Sequence, residues 1–183
     1  MSWRNIRPAG AIALGVIVLL GSWIGPAIWK SRLQGEKTLA RAGARILVQA
    51  AMRFYADYGV WPTARRCPPY DCRFGDDVHN AEVVNALRAV DGPGNEGHAV
   101  NPNRTVYLNP PIGQPRRPGL NQRGDFLDSW GVPYQVVLDS NLSGICEVEN
   151  SIYYGQIGIG VLVWSCGPDR RSDTPDDILS WKP

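Results

Sequence analysis

The side chains with the clearest potential for chemistry lie in one C-terminal stretch. It reads SCGPDRRSDTPDDILSW from Ser165 to Trp181, and it places four carboxylates within nine residues, those of Asp169, Asp173, Asp176 and Asp177. A hard cation such as calcium takes about six to eight oxygens from carboxylates, carbonyls and water. The stretch therefore suggests a calcium loop, although the EF-hand pattern is absent. The alternative is a solvated acidic turn with Arg170 and Arg171 as local partners.

The cysteines are the second candidate for chemistry, and there are four: Cys67, Cys72, Cys146 and Cys166. An even number in a small, loop-rich domain favours disulfides. Cys67–Cys72 and Cys146–Cys166 are the expected bonds, although the spacing leaves all three pairings open. A zinc site is the alternative, but the four-residue spacer in CPPYDC is at the long end for zinc pairs. Two disulfides would place the domain outside the cytoplasm.

Nothing in the sequence indicates catalysis or nucleic-acid binding. The G-x-S-x-G, P-loop and H-E-x-x-H patterns are absent. His79 and His98 are expected at the surface, so we predict a non-enzymatic protein. The net charge of +2 is the sum of a basic and an acidic part. Residues 1–45 carry seven basic side chains and one acidic one, whereas residues 46–183 carry twelve basic and sixteen acidic side chains. An acidic body argues against a nucleic-acid partner.

The elements that must position these residues begin with an apolar segment. Residues 9–29 carry no charge, and 21 helical residues span about 30 Å, the thickness of the hydrocarbon core of a bilayer. We predict a short basic leader at 1–8 and a retained transmembrane helix at 9–29. A cleaved secretory signal is the alternative, but its apolar region is normally shorter. Small residues that would allow close helix packing recur in the span: Ala11, Gly15, Gly21 and Gly25.

Residues 30–58 continue as an amphipathic helix. Its predicted apolar stripe follows helical spacing and comprises Leu39, Ala42, Ile46, Leu47, Ala50, Ala51, Phe54 and Tyr58. Gly59 and Pro62 end the helix. Beyond it, residues 59–183 form the predicted head, with a short helix at 79–90 and strands at 105–109, 133–139 and 157–164. The fold class is α+β, a long N-terminal helix packed on a small antiparallel sheet.

Two sequence motifs, together with this order of elements, resemble those of a known protein family. The motifs are Tyr55-x-x-x-Gly59-x-x-Pro62-Thr63 across the end of the helix and Asp128-x-Trp130-Gly131-x-Pro133-Tyr134 leading into the strand at 133–139. With the C-terminal loop, they make nearly the whole chain resemble the type IV pilin-like proteins. The resemblance is strongest to the major pseudopilins of type II secretion systems.

The resemblance implies a location and a role. Such proteins are single-pass inner-membrane proteins with a periplasmic head, and they assemble through their helices into a filament on an inner-membrane platform. The expected partners are other pilin-like subunits, that platform, the lipid bilayer and a prepilin peptidase, which would cleave between Gly10 and Ala11. The fifth residue after that cleavage would be Gly15, where the family carries a glutamate.

The resemblance also bears on the metal. In the family the C-terminal loop binds calcium, and the matching positions are Asp169 and Asp177, with Ser165, Asp173 and Asp176 nearby. The expected function is therefore that of a structural filament subunit with a calcium loop. Two alternatives stay open: a single-span protein whose head binds a ligand or partner without polymerising, and a membrane-tethered enzyme.

Overall fold

The computed structural model describes the backbone of residues 8–148, 151–153, 155–157 and 160–182, and it describes side chains from Ala27 onward, except those of residues 156 and 157. The chain divides into two compact units, Met1–Gly35 and Glu36–Pro183. Helix α1 (Pro8–Tyr58) runs through the boundary between them. It ends at Gly59, whose φ of +70° suits glycine and whose N–H donates to the Tyr55 carbonyl.

The second unit is α+β, as predicted: a helix packed on a small antiparallel sheet. The sheet contains β1 (Arg73–Phe74), β4 (Gln135–Leu138), β7 (Val161–Ser165) and β8 (Ile178–Leu179), in the order β1-β4-β7-β8. The remaining strands form two small hairpins, β2 (Gly119–Leu120) with β3 (Phe126–Leu127) and β5 (Ile145–Cys146) with β6 (Gln156–Ile157). Helix α2 (Ala81–Leu87) and a short 3-10 turn (Glu96–His98) complete the described elements.

Apolar side chains cover both faces of the central strands. Val136 and Val163 point into the core formed with α1 and α2, whereas Val137 and Leu162 point into a second cluster on the opposite face. Alternate residues of a strand face opposite sides of a sheet. With both sides covered, β4 and β7 are buried throughout, which explains why all but one residue of each is apolar.

The face that α1 turns to the sheet differs from the predicted stripe. Leu47, Ala50, Ala51 and Phe54 are buried as expected, but Leu39, Ala42 and Ile46 are exposed. The helix instead buries Ala40, Gly43 and Ala44, and the Tyr134 hydroxyl donates to the Ala40 carbonyl at 2.8 Å. A Cβ at Gly43 would overlap that hydroxyl. The prediction was wrong here because small residues, rather than large ones, make room for Tyr134.

Trp61 and Asn80 fix the loops around the core. The Trp61 indole N–H donates to the Asp139 carbonyl at 2.7 Å, and a Cβ on Gly160 would lie 2.5 Å from its ring. Asn80 is fully buried, and its amide bonds the backbone of Phe126 and Tyr134. Such side chains replace the backbone partners that irregular segments lack. They hold a loop-rich domain together where strands are only two residues long.

Three of the four predicted elements of the head are confirmed in kind, with different bounds. The helix expected at 79–90 is Ala81–Leu87, and the strands expected at 133–139 and 157–164 are Gln135–Leu138 and Val161–Ser165. Residues 105–109 form no strand. They are held instead by Tyr107 and Leu108, whose N–H groups both donate to the Leu87 carbonyl at the end of α2.

Candidate functional site

The C-terminal acidic stretch is a loop between β7 and β8, and its carboxylates are held by hydrogen bonds. Asp177 accepts from the Tyr153 hydroxyl at 2.8 Å and from the Asp173 N–H at 2.9 Å. Burial raises the pKa of Asp177, so its ionised form depends on these donors. The loop turns at Gly167, whose φ is +67° and where a Cβ would lie 2.5 Å from the Asp176 carbonyl oxygen.

Arg73 of β1 binds this loop across the sheet. Its guanidinium pairs with Asp173 at 3.0 Å and donates to the Ser172 hydroxyl at 2.7 Å. It also donates to Gln135 of β4 at 2.9 Å, and it stacks over the Trp164 ring at 5.1 Å. Asp173 further accepts from Ser151 and from the Ile152 N–H. One arginine thus joins three strands to the acidic loop, and it places a fixed positive charge beside it.

Asp169 and Asp176 are bonded within the loop. Asp169 accepts from the Arg171 N–H at 2.8 Å, and Asp176 accepts from the Thr174 hydroxyl at 2.8 Å and the Asp169 N–H at 3.3 Å. Burial opposes ionisation of Asp176, but the hydrogen bonds from Thr174 and Asp169 outweigh it and lower its pKa. Both carboxylates therefore stabilise turns of the loop itself.

These contacts test whether the loop fits calcium. The predicted ligand Ser165 donates instead to Asp128 at 2.6 Å, and Asp173 faces Arg73. No group of three or more His, Cys, Asp or Glu side chains within the described part of the chain is arranged to hold a metal ion. In the structure the carboxylates of the loop accept from Arg73, from hydroxyl groups and from backbone N–H groups. Calcium binding by the five predicted residues stays a prediction.

Asp128 of the Asp-x-Trp-Gly-x-Pro-Tyr motif ties its own turn to the end of β7. One oxygen accepts from the N–H groups of Trp130 and Val132, at 2.8 and 2.9 Å, and the other accepts from Ser165. The side chain is 1% exposed, and burial raises its pKa. The motif is therefore a turn that fixes Tyr134, the residue that α1 packs against.

The disulfide loop anchors the same region. Cys67 and Cys72 are bonded, as predicted. Asp71 precedes the bonded Cys72, and its carboxylate accepts from Ser140 and from the Glu147 N–H. Arg73 follows that cysteine. Cys72 of the disulfide is thus flanked by two residues, Asp71 and Arg73, whose side chains each hold a separate loop of the head.

The second expected bond is not formed in the structure, where Cys146 and Cys166 are buried free thiols. Burial raises the pKa of each to about 12, with Asp71 and Asp139 as acidic neighbours of Cys146 and Asp177 and Asp128 as those of Cys166. Asp139 bonds Gly160 before β7, whereas Cys166 follows β7. Cys146 belongs to β5 of the β5–β6 hairpin, whereas Cys166 directly follows β7 of the four-stranded sheet.

Several predictions concern residues whose side chains the structure does not describe. They are the helix-packing residues Ala11, Gly15, Gly21 and Gly25 and the processing site Gly10–Ala11, all of which lie in the part of α1 given as backbone alone. The predicted span 9–29 lies mostly there too. Within the residues that are described, no helix is long and apolar enough to cross a membrane.

One feature that sequence reasoning missed is an open cleft of about 900 Å³ between the end of α2 and the β2–β3 hairpin. Arg88, Arg117 and Arg123 line it together with apolar side chains. No local pattern marks these arginines, because they come from three separate turns. Neither histidine lines this cleft, and the Nδ1 atom of His79 lies 3.3 Å from a carboxylate oxygen of Asp125.

No family model matches this chain, and neither a curated protein nor a solved structure matches it.

Proposed function

We propose that the chain is a structural subunit of a type II secretion pseudopilus or type IV pilus-like filament. In this proposal it is anchored in the inner membrane by residues 9–29, carries its head in the periplasm, and assembles through its N-terminal helix. Other subunits and an inner-membrane platform are the proposed partners. The motifs quoted above supply the family resemblance, and the α+β fold of residues 36–183 is compatible with it.

One observation carries the proposal: the helix that is built into the head leaves an apolar face uncovered. Leu39 is 43% exposed and Ile46 is 50% exposed, and Ala42 lies exposed between them. The opposite face, including Ala44 and Leu47, is fully buried against the sheet. Exposed apolar stripes at helical spacing mark surfaces that bury themselves against a partner. A neighbouring helix of the same kind is the partner that a filament would supply.

The test is a charge placed on that face. Ile46→Asp should abolish assembly of the full-length protein in membranes and leave the head folded, because the side chain points away from the core. Val106→Asp is the matched control, since Val106 is 60% exposed in a head loop and should leave assembly unchanged. Gly21→Arg should also block assembly through the span. Normal assembly of both the Ile46 and Gly21 variants would overturn the proposal.

Two further measurements bear on location and metal. The Cys67–Cys72 bond is in keeping with an oxidising compartment, and the N-terminus of the mature protein tests processing, with Ala11 expected after cleavage. Calcium at the C-terminal loop predicts that a chelator lowers the melting temperature of the purified protein. An unchanged melting temperature would count against calcium and would leave Arg73 as the cation of that loop.

A second function is favoured by the cleft. A single-span protein whose head binds a partner without polymerising would need such a concave surface, and open clefts lined by apolar and a few polar groups are the usual form of binding sites. Assembly assays separate the two functions, because the second predicts a protein that never oligomerises.

A further inference from the structure

The cleft has three walls that belong to separate parts of the head. One is the end of α2 with residues 88–93, the second is the loop at 112–117, and the third is the turn at 121–124 of the β2–β3 hairpin. The less exposed apolar residues Leu120 and Leu127, the apolar floor of the cleft, also line it, and so does Ile112, which has 81% of its surface exposed. Covering an apolar side chain exposed to that degree with the apolar part of a ligand lowers the free energy, because apolar surface is removed from water.

Three arginines add charge to these walls. Arg88, Arg117 and Arg123 form no ion pair with any residue that the structure describes. Arg65, Arg73 and Arg116, by contrast, each pair with a carboxylate outside the cleft. Guanidinium groups without a local partner are suited to recognising carboxylate or phosphate, because their planar donors form two parallel hydrogen bonds to such groups.

The arginines also start from fixed backbone. The Arg88 N–H donates to the Val84 carbonyl as the last turn of α2, and the Arg117 N–H donates to the Gln114 carbonyl. The Arg123 N–H donates to the Asn121 side chain at 2.9 Å. Each of these hydrogen bonds fixes the backbone position of one arginine at the rim of the cleft. The loss of conformational entropy when a ligand binds is therefore smaller than it would be for mobile loops.

The acidic residues of the cleft do not cancel this charge. Asp128 is buried, and its two oxygens are used by Trp130, Val132 and Ser165. Asp91 lies on the wall with its carboxylate accepting from the Gly97 N–H. Three guanidiniums therefore face one exposed carboxylate. The remainder of the head is acidic, which makes this cleft a positive exception and disfavours polyphosphates such as nucleic acid.

We infer that this cleft binds an extended acidic segment of a partner polypeptide, with its carboxylates on Arg88, Arg117 and Arg123 and its apolar side chains on Ile112 and Leu127. A small inorganic anion would satisfy the charges but leave the apolar floor wet. A segment that alternates acidic and apolar side chains satisfies both. The inference concerns the head alone, so it holds for either function proposed above.

The test uses the full-length protein in detergent and a fluorescent peptide that alternates Leu and Glu. We expect binding that weakens with salt, and at least about a tenfold loss of affinity in the triple variant Arg88→Gln, Arg117→Gln, Arg123→Gln. Arg53→Gln, which removes an exposed arginine from α1, is the matched control and should bind as wild type. Ile112→Glu is the second variant, because it changes one exposed side chain and should weaken binding by like-charge repulsion.

Three results would overturn the inference. One is the absence of binding by wild type, and another is equal binding by a peptide that alternates Leu and Gln. The third is full displacement of the acidic peptide by inorganic phosphate at equal concentration, which would mark a simple anion site. Circular dichroism of each variant confirms folding, and filament assembly by the triple variant separates this inference from the proposed function.

Discussion

Replacing Arg73 with methionine tests the central contact of the C-terminal loop. The change keeps the apolar stem and removes the charge, so Asp173 loses its ion-pair partner, in a contact where about a fifth of each side chain is open to solvent. A hydrogen bond to a charged group contributes about 1.5–3 kcal/mol, and a cation–π contact contributes about 0.5–1 kcal/mol. Because such terms are not additive, we expect a loss of about 3 kcal/mol in the free energy of unfolding.

The assay follows from that magnitude. For a domain of this size each kcal/mol lowers the melting temperature by about 2–4 °C, so Arg73→Met should melt about 6–12 °C below wild type. Arg116→Met is the matched control, since its partner Glu36 lies at 3.6 Å and the arginine is 66% exposed. Exposed pairs contribute at most about 1 kcal/mol. That variant should melt within about 2–4 °C of wild type.

A local measurement separates loop loosening from general destabilisation. Arg170 and Arg171 are trypsin sites within the loop, and Arg73→Met should speed cleavage there more than cleavage elsewhere, because local opening exposes the loop first. Equal melting temperatures for wild type and Arg73→Met, together with unchanged cleavage at Arg170 and Arg171, would refute the role assigned to this arginine.

Three further predictions concern packing, thiols and pH. Gly43→Ala should lower the free energy of unfolding by about 1–3 kcal/mol, because the new Cβ has no room. Gly35→Ala is the control, since nothing lies within 4 Å of its Cβ position, and it should be neutral or stabilise by up to about 1 kcal/mol. Chemical denaturation compares the two variants, and equal effects would contradict the close packing at Gly43. In unreduced protein, two thiols per chain should react with a thiol reagent in denaturant and almost none in the native state at pH 8. The reason is that burial raises the pKa of Cys146 and Cys166 to about 12. The absence of reactive thiols in denaturant would mean that a second disulfide is present. Burial raises the pKa of Asp128, so the native state holds the carboxyl proton more tightly than the unfolded state does. Wild type should therefore lose stability relative to Asp128→Asn as the pH rises from about 4 through the raised pKa. A pH-independent difference in the free energy of unfolding between the two proteins would contradict a raised pKa for Asp128.

The sequence predicted the parts of the fold that depend on local pattern. The strands Gln135–Leu138 and Val161–Ser165 are marked by short apolar runs that each contain two valines, and the end of α1 is marked by Gly59. The two-residue strands β1 and β8 have no such signal, because a strand that short exists only through its partner. Pairing, rather than propensity, places them.

The candidate site was predictable in composition but not in contacts. The acidic loop is visible in the sequence, yet Arg73, which pairs with Asp173, lies 100 residues away in the chain. The face of α1 was misjudged for a related reason. Ala40 and Gly43 look unimportant until Tyr134, far along the chain, needs the space that they leave. Hydrophobicity alone favours Leu39 and Ile46 as core residues, whereas shape complementarity buries their smaller neighbours.

In the proposed filament, the exposed face of α1 meets the helix of another subunit. A photoreactive phenylalanine analogue introduced in place of Ile46 in the full-length protein tests it directly in membranes. We expect irradiation to produce a ladder of covalent homo-oligomers, and the same analogue in place of Val106 to produce far less. A product that contains only monomer, or only unrelated proteins, at position 46 would contradict assembly through this helix.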